Sequence, residues 1–337
     1  MRRGPILALL AIGTIAGAAA AAVAIFLPWL PPVASRERDR IDLVFWFTVA
    51  ICILIFAIVV AVLLYAIVRF RAAPDDDSDG PPVHGNTGLE IVWTLIPTVL
   101  VTAIGIVSAI VLSQNDALGK NVLQINVTAQ QFAWSFTYPG GQKLTSGTLR
   151  LPLGRSVLLQ LHSKDVIHSF WVPEFGQKQD TVPGIETHLH FTPSKLGTYP
   201  VICTELCGLG HAVMRTQAIV MQPAAFDKWL KGQTKAATSP NASVSGAAVF
   251  KNNPCGSCHT LAAAGATAKV GPDLDQLPAY ARQAGQPLES FIRQSIVDPN
   301  AYVQKGYPKG VMPPFSSLPK QQLDALVQYL VQSSKKG

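Results

Sequence analysis

Residues 201–214 read V-I-C-T-E-L-C-G-L-G-H-A-V-M and bring Cys203, Cys207, His211 and Met214 within twelve positions. Thiolate, imidazole and thioether are soft to borderline ligands. They suit copper, whereas magnesium and calcium take oxygen and zinc prefers Cys, His and carboxylate. A single blue-copper ion needs one Cys, two His and a weak axial Met, with the Cys, one His and the Met close together on a loop. Cys207, His211 and Met214 have that spacing, and His168, in D-V-I-H-S-F-W, is the candidate for the earlier imidazole. Cys203 is then one thiolate too many for one ion. Two bridging thiolates can hold two coppers, so the extra cysteine points to a dinuclear centre. The alternatives are a zinc knuckle or a reduced surface cysteine pair.

The run H-S-F-W-V-P, followed by C-x-E-x-C-G-x-x-H-x-x-M, closely resembles the dinuclear copper (CuA) loop of cytochrome c oxidase subunit II. The resemblance implies that Glu205 offers its backbone carbonyl to one copper and its carboxylate to a magnesium ion shared with subunit I. A carboxylate is a hard ligand that suits that ion. Taken without the resemblance, Glu205 is a solvated loop charge.

Composition sets the surroundings of this loop. The chain has 337 residues, room for two or three domains, and its 49% hydrophobic content is high for a soluble protein. The net charge is +7, yet no Lys/Arg run resembles a nucleic-acid patch, and none is expected as a partner. Of five cysteines, four lie in motifs that carry chemistry; Cys52 stands alone in an apolar run and reads as a buried packing residue.

Residues 1–30 open with Arg2 and Arg3 and continue apolar and alanine-rich from Ile6 to Leu30. This is the pattern of a secretory signal peptide, and it is also long enough to span a bilayer uncut; a cleaved signal is the favoured expectation. Residues 42–115 read as a two-helix transmembrane hairpin. The first span, Leu43 to Val68, carries no charge, and the second runs from about Ile91 to Leu112 with Pro97 inside it. Between them, A-A-P-D-D-D-S-D-G-P-P-V-H-G-N breaks the helix. Arg69 and Arg71 favour a cytoplasmic loop, while Arg36, Arg38 and Arg40 argue the other way. The segment G-L-E-I-V-W-T-L-I-P also resembles subunit II, and the resemblance implies that Glu90 sits at the mouth of a proton pathway into subunit I. Alone, a glutamate there is a favourable N-terminal helix charge.

From Val122 short alternating runs are separated by P-G-G, L-P-L-G, V-P-G and L-G-T-Y-P. Such texture predicts an all-β, antiparallel Greek-key sandwich or barrel. Residues 120–233 are therefore read as a cupredoxin-like domain with the copper loop between two late strands. His162, His188 and His190 fall on strand-like runs and read as surface or packing histidines. The run Q-Q-F-A-W-S-F-T-Y-P matches the family's aromatic stretch, which carries a tryptophan where electrons enter. Here that position holds Phe132, with Trp134 as the next aromatic, so electrons enter at Phe132, at Trp134 or elsewhere. Taken without the resemblance, these rings form a β-sheet aromatic cluster. The family's arginine after K-x-D is also missing: K-Q-D-T-V-P-G is followed by Ile185.

Residues 234–244 read as a small, polar, flexible linker. Beyond it, C-G-S-C-H at 255–259 is the c-type haem attachment signature, with Cys255 and Cys258 for the vinyl groups and His259 for the iron. Met312, in K-G-V-M-P-P-F, is the candidate for the other axial ligand, and such ligation raises the potential. V-G-P-D-L, with Pro272, resembles the stretch whose carbonyl accepts the axial histidine's N–H. Helical patterns at 244–252, 287–296 and 318–332 make 245–337 similar to an all-α class I cytochrome c domain.

As a whole the chain resembles the subunit II with fused cytochrome c of caa-type bacterial oxidases. The resemblance implies a multi-pass protein of the bacterial inner membrane, in contact with lipid, with copper and haem domains on the periplasmic side. It implies subunit I and other oxidase subunits as partners, and cytochrome c or another respiratory electron donor. The reaction implied is electron delivery to subunit I, which reduces oxygen to water and moves protons. The alternative is a stand-alone, membrane-anchored di-copper and haem electron carrier.

Overall fold

The structure is a computed structural model that describes residues 3–72, 75, 80, 82, 84–117, 119, 121–139, 144–238, 245–253, 255–316 and 318–334. It divides into two units: residues 1–32 with 39–117, and residues 33–38 with 118–337.

The first unit corrects the expectation of a two-helix hairpin. Among the described residues three helices are long and apolar enough to cross a membrane: α1 (Arg3–Phe26), α2 (Arg36–Arg69) and α3 (Thr87–Asp116). The reason α1 joins the hairpin lies in its small residues. A Cβ added at Gly13 would sit 3.5 Å from the Ala61 Cβ, and one at Gly17 would sit 3.3 Å from the Ala57 Cβ. Small residues let helix backbones approach in lipid, where the hydrophobic effect cannot drive association. Arg40, near the start of α2, donates from Nη1 to the Gln114 carbonyl at 3.0 Å and the Asn115 Oδ1 at 3.1 Å, tying it to the end of α3. Cys52 is exposed on α2 rather than buried, because the span offers its apolar surface outward to lipid. Asn86 caps α3 by accepting from the Leu89 N–H at 3.1 Å, and Pro97 is accommodated within the helix. Much of the loop expected between α2 and α3 lies outside the described residues.

The second unit begins with the β domain. Ten strands form two five-stranded sheets: β1 (Leu123–Gln130), β2 (Ala133–Tyr138), β3 (Leu144–Ser146), β4 (Leu149–Pro152), β5 (Val157–Ser163), β6 (His168–Trp171), β7 (Lys178–Thr181), β8 (Thr187–Phe191), β9 (Gly197–Cys203) and β10 (Arg215–Met221). The orders are β3-β2-β1-β5-β8 and β4-β10-β9-β6-β7. The strands alternate as expected: Leu123, Ile125, Val127 and Ala129 of β1 and Val157, Leu159 and Leu161 of β5 face a common core. Not every pairing is antiparallel. β1 runs parallel to β5, and β4 parallel to β10. Alternation reports which face is buried and carries no information about the partner strand's direction. Residues 33–38, which include the first residues of α2, belong to this unit: Ser35 Oγ donates to the Phe175 carbonyl, Arg38 Nη1 to the Pro173 carbonyl, and the Thr192 N–H to Glu37 Oε2.

α4 (Pro223–Thr238) closes one end of the sandwich. Its Phe226 and Trp229 rings pack on Tyr138, and the Arg150 guanidinium lies 5.0 Å from the centre of the Trp229 ring. Burial pushes the Tyr138 phenol up, and its hydroxyl bonds the Arg150 backbone. Residues 234–238 of the expected linker are thus helical, and 239–244 lie outside the described residues.

The last part is mainly helical around a second core, with one short antiparallel ladder pairing Thr260 with Thr267 and Leu261 with Ala266: α5 (Gly246–Asn252), α6 (Cys255–Cys258), α7 (Leu277–Gln283), α8 (Leu288–Val297) and α9 (Lys320–Ser334). Leu326, Val327 and Leu330 of α9 are buried against Val249 and Phe250 of α5 and Phe291 and Ile292 of α8. Gly246 permits the closest approach of α5 to α9: a Cβ there would fall 2.1 Å from the Ala325 carbonyl oxygen.

Candidate copper and haem sites

β9 and β6 assemble the copper cluster. Their register pairs Cys203 with Phe170, which puts His168, two residues back along β6, on the same face as Cys203. Beyond β9 the chain turns and is held back against it, with the Cys203 N–H donating to the Met214 carbonyl at 3.2 Å. His168, Cys203, Cys207 and Met214 are all buried. The two Sγ atoms lie 3.9 Å apart, too far for a disulfide and close enough to share an ion. His168 Nδ1 lies 3.9 Å from Cys203 Sγ, and His211 Nδ1 lies 3.6 Å from Cys207 Sγ. Met214 Sδ is 3.8 Å from Cys207 Sγ, and the Glu205 carbonyl oxygen is 3.3 Å from Cys203 Sγ. His168, Cys203 and Cys207 bring ligand atoms within 4.8 Å of one another.

The electrostatics fit a cation. Burial works to raise the Cys203 thiol, but contacts with His168, Ser169, Glu205 and His211 outweigh it and bring it down to about 6. Burial first, and then the neighbouring Cys203 charge, push Cys207 up to about 12. One thiolate therefore forms readily, and the second proton is the one a cation displaces. A buried, unbridged thiol pair flanked by two imidazoles and a thioether is a donor set that copper fits.

Two residues beyond the expected set complete the site. Asp165 Oδ1 is 2.8 Å from His168 Nε2, and its other oxygen accepts from the Gln131 N–H at 2.6 Å. A carboxylate on the far nitrogen fixes the ring and leaves Nδ1 for metal. Burial alone would lower the His168 pKa; contacts with Cys203 and Asp165 reverse that and raise it. The i, i+3 spacing of Asp165 and His168 was the available sequence signal. The second residue, Gln131, donates from Nε2 to the Cys207 carbonyl, and nothing local in sequence marks it.

The aromatic candidates separate. Trp134 is buried, 6.2 Å from the His168 ring and 5.4 Å from Phe170, centre to centre, with its indole N–H unpartnered. Phe132 instead lies against the copper loop. A Cβ at Gly210 would fall 2.4 Å from the Phe132 Cδ2, and one at Gly208 would fall 3.2 Å from its Cζ, so the loop's glycines make room for that ring. Gly208 also has φ of +126°, a conformation glycine favours. Glu205 is exposed. Glu90 lies far along the chain at the α3 start, where its Oε1 accepts from the Asn86 N–H at 3.2 Å.

The helical part surrounds an apolar cavity. Cys255, Cys258, His259, Pro272 and Met312 all line it. His259 is buried and donates from Nδ1 to the Pro272 carbonyl at 2.8 Å, which leaves Nε2 free. Burial lowers its pKa, keeping the imidazole neutral as a metal ligand. Gly271 admits the ring: a Cβ there would fall 2.5 Å from His259 Cε1. Two free thiols, a neutral histidine and an apolar cavity fit a covalently attached haem. The wall of the same cavity includes Phe132, Ala133, Val213 and Arg215 of the β domain.

Apolar spanning helices, a sandwich with a soft-ligand cluster and a C-x-x-C-H helical domain define a membrane-bound electron-transfer protein built for copper and haem. Residues 23–111 match the transmembrane domain of cytochrome c oxidase subunit II, 142–222 its periplasmic domain, and 243–334 cytochrome c. The cytochrome c oxidase subunit 2 of Alkalihalophilus pseudofirmus is 32% identical over 297 residues, 84% of this chain and 84% of its own length. That of a Synechocystis species is 33% identical over 256 residues, 62% of this chain and 77% of its own. A Bacillus cereus quinol oxidase subunit 2 is 30% identical over 208 residues, 60% of this chain and 71% of its own. The chain belongs to the cytochrome c oxidase subunit II family and carries a C-terminal cytochrome c domain. It is a subunit of an oxidoreductase, and its part in the reaction is to pass electrons on toward oxygen.

Proposed function

We propose that electrons enter this chain at the C-terminal domain, cross beside Phe132 to the copper loop, and leave for subunit I. The observation that carries this reading is the shared wall. Phe132 lines the cavity that holds His259 and Met312, and its ring fills the space left by Gly208 and Gly210 of the copper loop.

Bound in these sites, haem c and a pair of coppers supply the one-electron carriers. The chain's own residues hold them. Cys255 and Cys258 would attach the haem, His259 and Met312 would hold its iron, and the His259–Pro272 bond fixes the tautomer that offers Nε2. Cys203, Cys207, His168, His211, Met214 and the Glu205 carbonyl would hold the coppers. Phe132 keeps water out between the two sites. The Glu205 carboxylate reaches outward to a magnesium ion at the subunit I boundary, and Glu90 serves a proton path there.

α3, which buries only Val111 and Asn115 among its described residues, offers its remaining surface to lipid and to other oxidase subunits. The β and haem domains face the periplasm of a bacterial inner membrane. Arg38 and Arg40, which argue for the opposite orientation, are engaged with backbone carbonyls and so bear less on it. Tethering makes transfer between the sites intramolecular, at effective concentrations of about millimolar for a short linker. The donor is cytochrome c or another respiratory carrier.

Flash reduction of the haem, followed at the copper absorption, tests the route. Phe132→Ala is expected to slow the haem-to-copper step by at least about tenfold, equivalent to roughly 1.4 kcal/mol of barrier. An unchanged rate in a variant that keeps both metal centres would remove Phe132 from the path.

A further inference from the structure

Three histidines of the β domain stand outside both sites, and two of them meet on the outer face of the first sheet. β5 and β8 are antiparallel, with Gln160 opposite His188 and Leu161 opposite Thr187. Residues two apart on a strand share a face. His162 therefore stands on the same side as Gln160, and Glu186 on the same side as His188, while Leu159, Leu161 and Leu189 point into the core. His162 Nε2 lies 3.1 Å from Glu186 Oε2, and His188 Nε2 lies 2.9 Å from Glu186 Oε1. Gln160 Nε2 donates to the same Oε1 at 3.3 Å. These side chains are 39% to 51% exposed, within reach of a dissolved ion. The third histidine, His190, is engaged with Ser156 Oγ at 2.6 Å.

We propose that His162, Glu186 and His188 form a binding site for a divalent transition metal of the zinc class, separate from the copper loop. Two imidazoles and one carboxylate are a set that zinc accepts, with water in its fourth position. Two nitrogen ligands also disfavour calcium and magnesium, which take oxygen. The carboxylate now stands between the rings, with each Nε2 facing one of its oxygens. Binding gives the Nε2 lone pair to the ion and leaves the ring proton on Nδ1. No bond to carbon changes, and no electron moves. By continuation of the register His162 and His188 are diagonal neighbours, about 7–8 Å apart at Cα, a span that two imidazoles can close. Only exposed side-chain torsions must turn, because the strand pair beneath is fixed by its backbone ladder and buried leucines.

The test is equilibrium dialysis of the full chain, loaded with copper and haem so that the cysteine sites are filled, against radioactive zinc. One zinc per chain is expected. His162→Ala and His188→Ala should each weaken it by at least about tenfold, the scale of losing even an outer-shell partner. Glu186→Gln should weaken it as well. Thermal melts establish that the variants stay folded, and their copper and haem spectra should be unchanged. No zinc taken up at about 10 µM would overturn the site. So would equal uptake by the wild type and the folded His162→Ala/His188→Ala double variant.

Discussion

In the proposed dinuclear centre, replacing Cys203 by serine is expected to cut bound copper from two ions to one at most and to abolish the mixed-valence signal of a shared electron. Cys203 Sγ is the atom from which the Cys207 sulfur, His168 Nδ1 and the Glu205 carbonyl lie at 3.9, 3.9 and 3.3 Å. A serine hydroxyl in its place is hard and stays protonated, so it cannot bridge two soft ions. Cys207, His211 and Met214 remain, with His168 near by, which is the ligand set of a mononuclear blue-copper site. Electron paramagnetic resonance with metal analysis reads both halves of this expectation. A spectrum identical to wild type, with two coppers retained, would assign the bridge elsewhere.

Met312→Ala is expected to have the second large effect, on the haem side. Met312 and His259 line one cavity, and the Met/His pair raises the potential of an attached haem. Loss of the thioether should leave the haem covalently held by Cys255 and Cys258 while its midpoint falls by about 120 mV. At 59 mV per decade for one electron that is roughly a hundredfold in the equilibrium with the donor. Redox titration followed in the haem bands gives the number directly. A midpoint unchanged in the variant would mean that another residue holds the sixth position.

The parts of the two sites legible in sequence were those whose ligands are close along the chain. Cys203 to Met214 and Cys255 to His259 each carry their geometry in one short segment. His168 lies 35 residues before Cys203 and could be named as a candidate, yet it reaches the cluster only through the β6–β9 register. Asp165 and Gln131 act on the cluster from positions whose local sequence reads as ordinary turn and strand end. Phe132 is similar: its departure from the family's tryptophan was visible, but its place between loop and cavity depends on tertiary packing.

Elsewhere the sequence was ambiguous for physical reasons. An alanine-rich apolar run after two arginines fits both a cleaved signal, the favoured expectation, and a spanning helix. It is the spacing of Gly13 and Gly17 against Ala57 and Ala61 that makes α1 a partner of α2. The parallel pairs β1/β5 and β4/β10 were hidden because alternation is the same for either strand direction. His162 and His188 read as surface or packing histidines in sequence, and the pairing of β5 with β8 brings them to one carboxylate.

The central claim is that one chain holds two stations in series, haem first. Stopped-flow reduction by the natural donor, following the haem and copper bands separately, tests it most directly when wild type is compared with the Cys255→Ala/Cys258→Ala variant. The expected result is haem reduction ahead of copper in the wild type, and copper reduction slowed by at least about a hundredfold once the haem is gone, near 2.7 kcal/mol of lost advantage. Copper reduced as fast in the variant as in the wild type would contradict the series order.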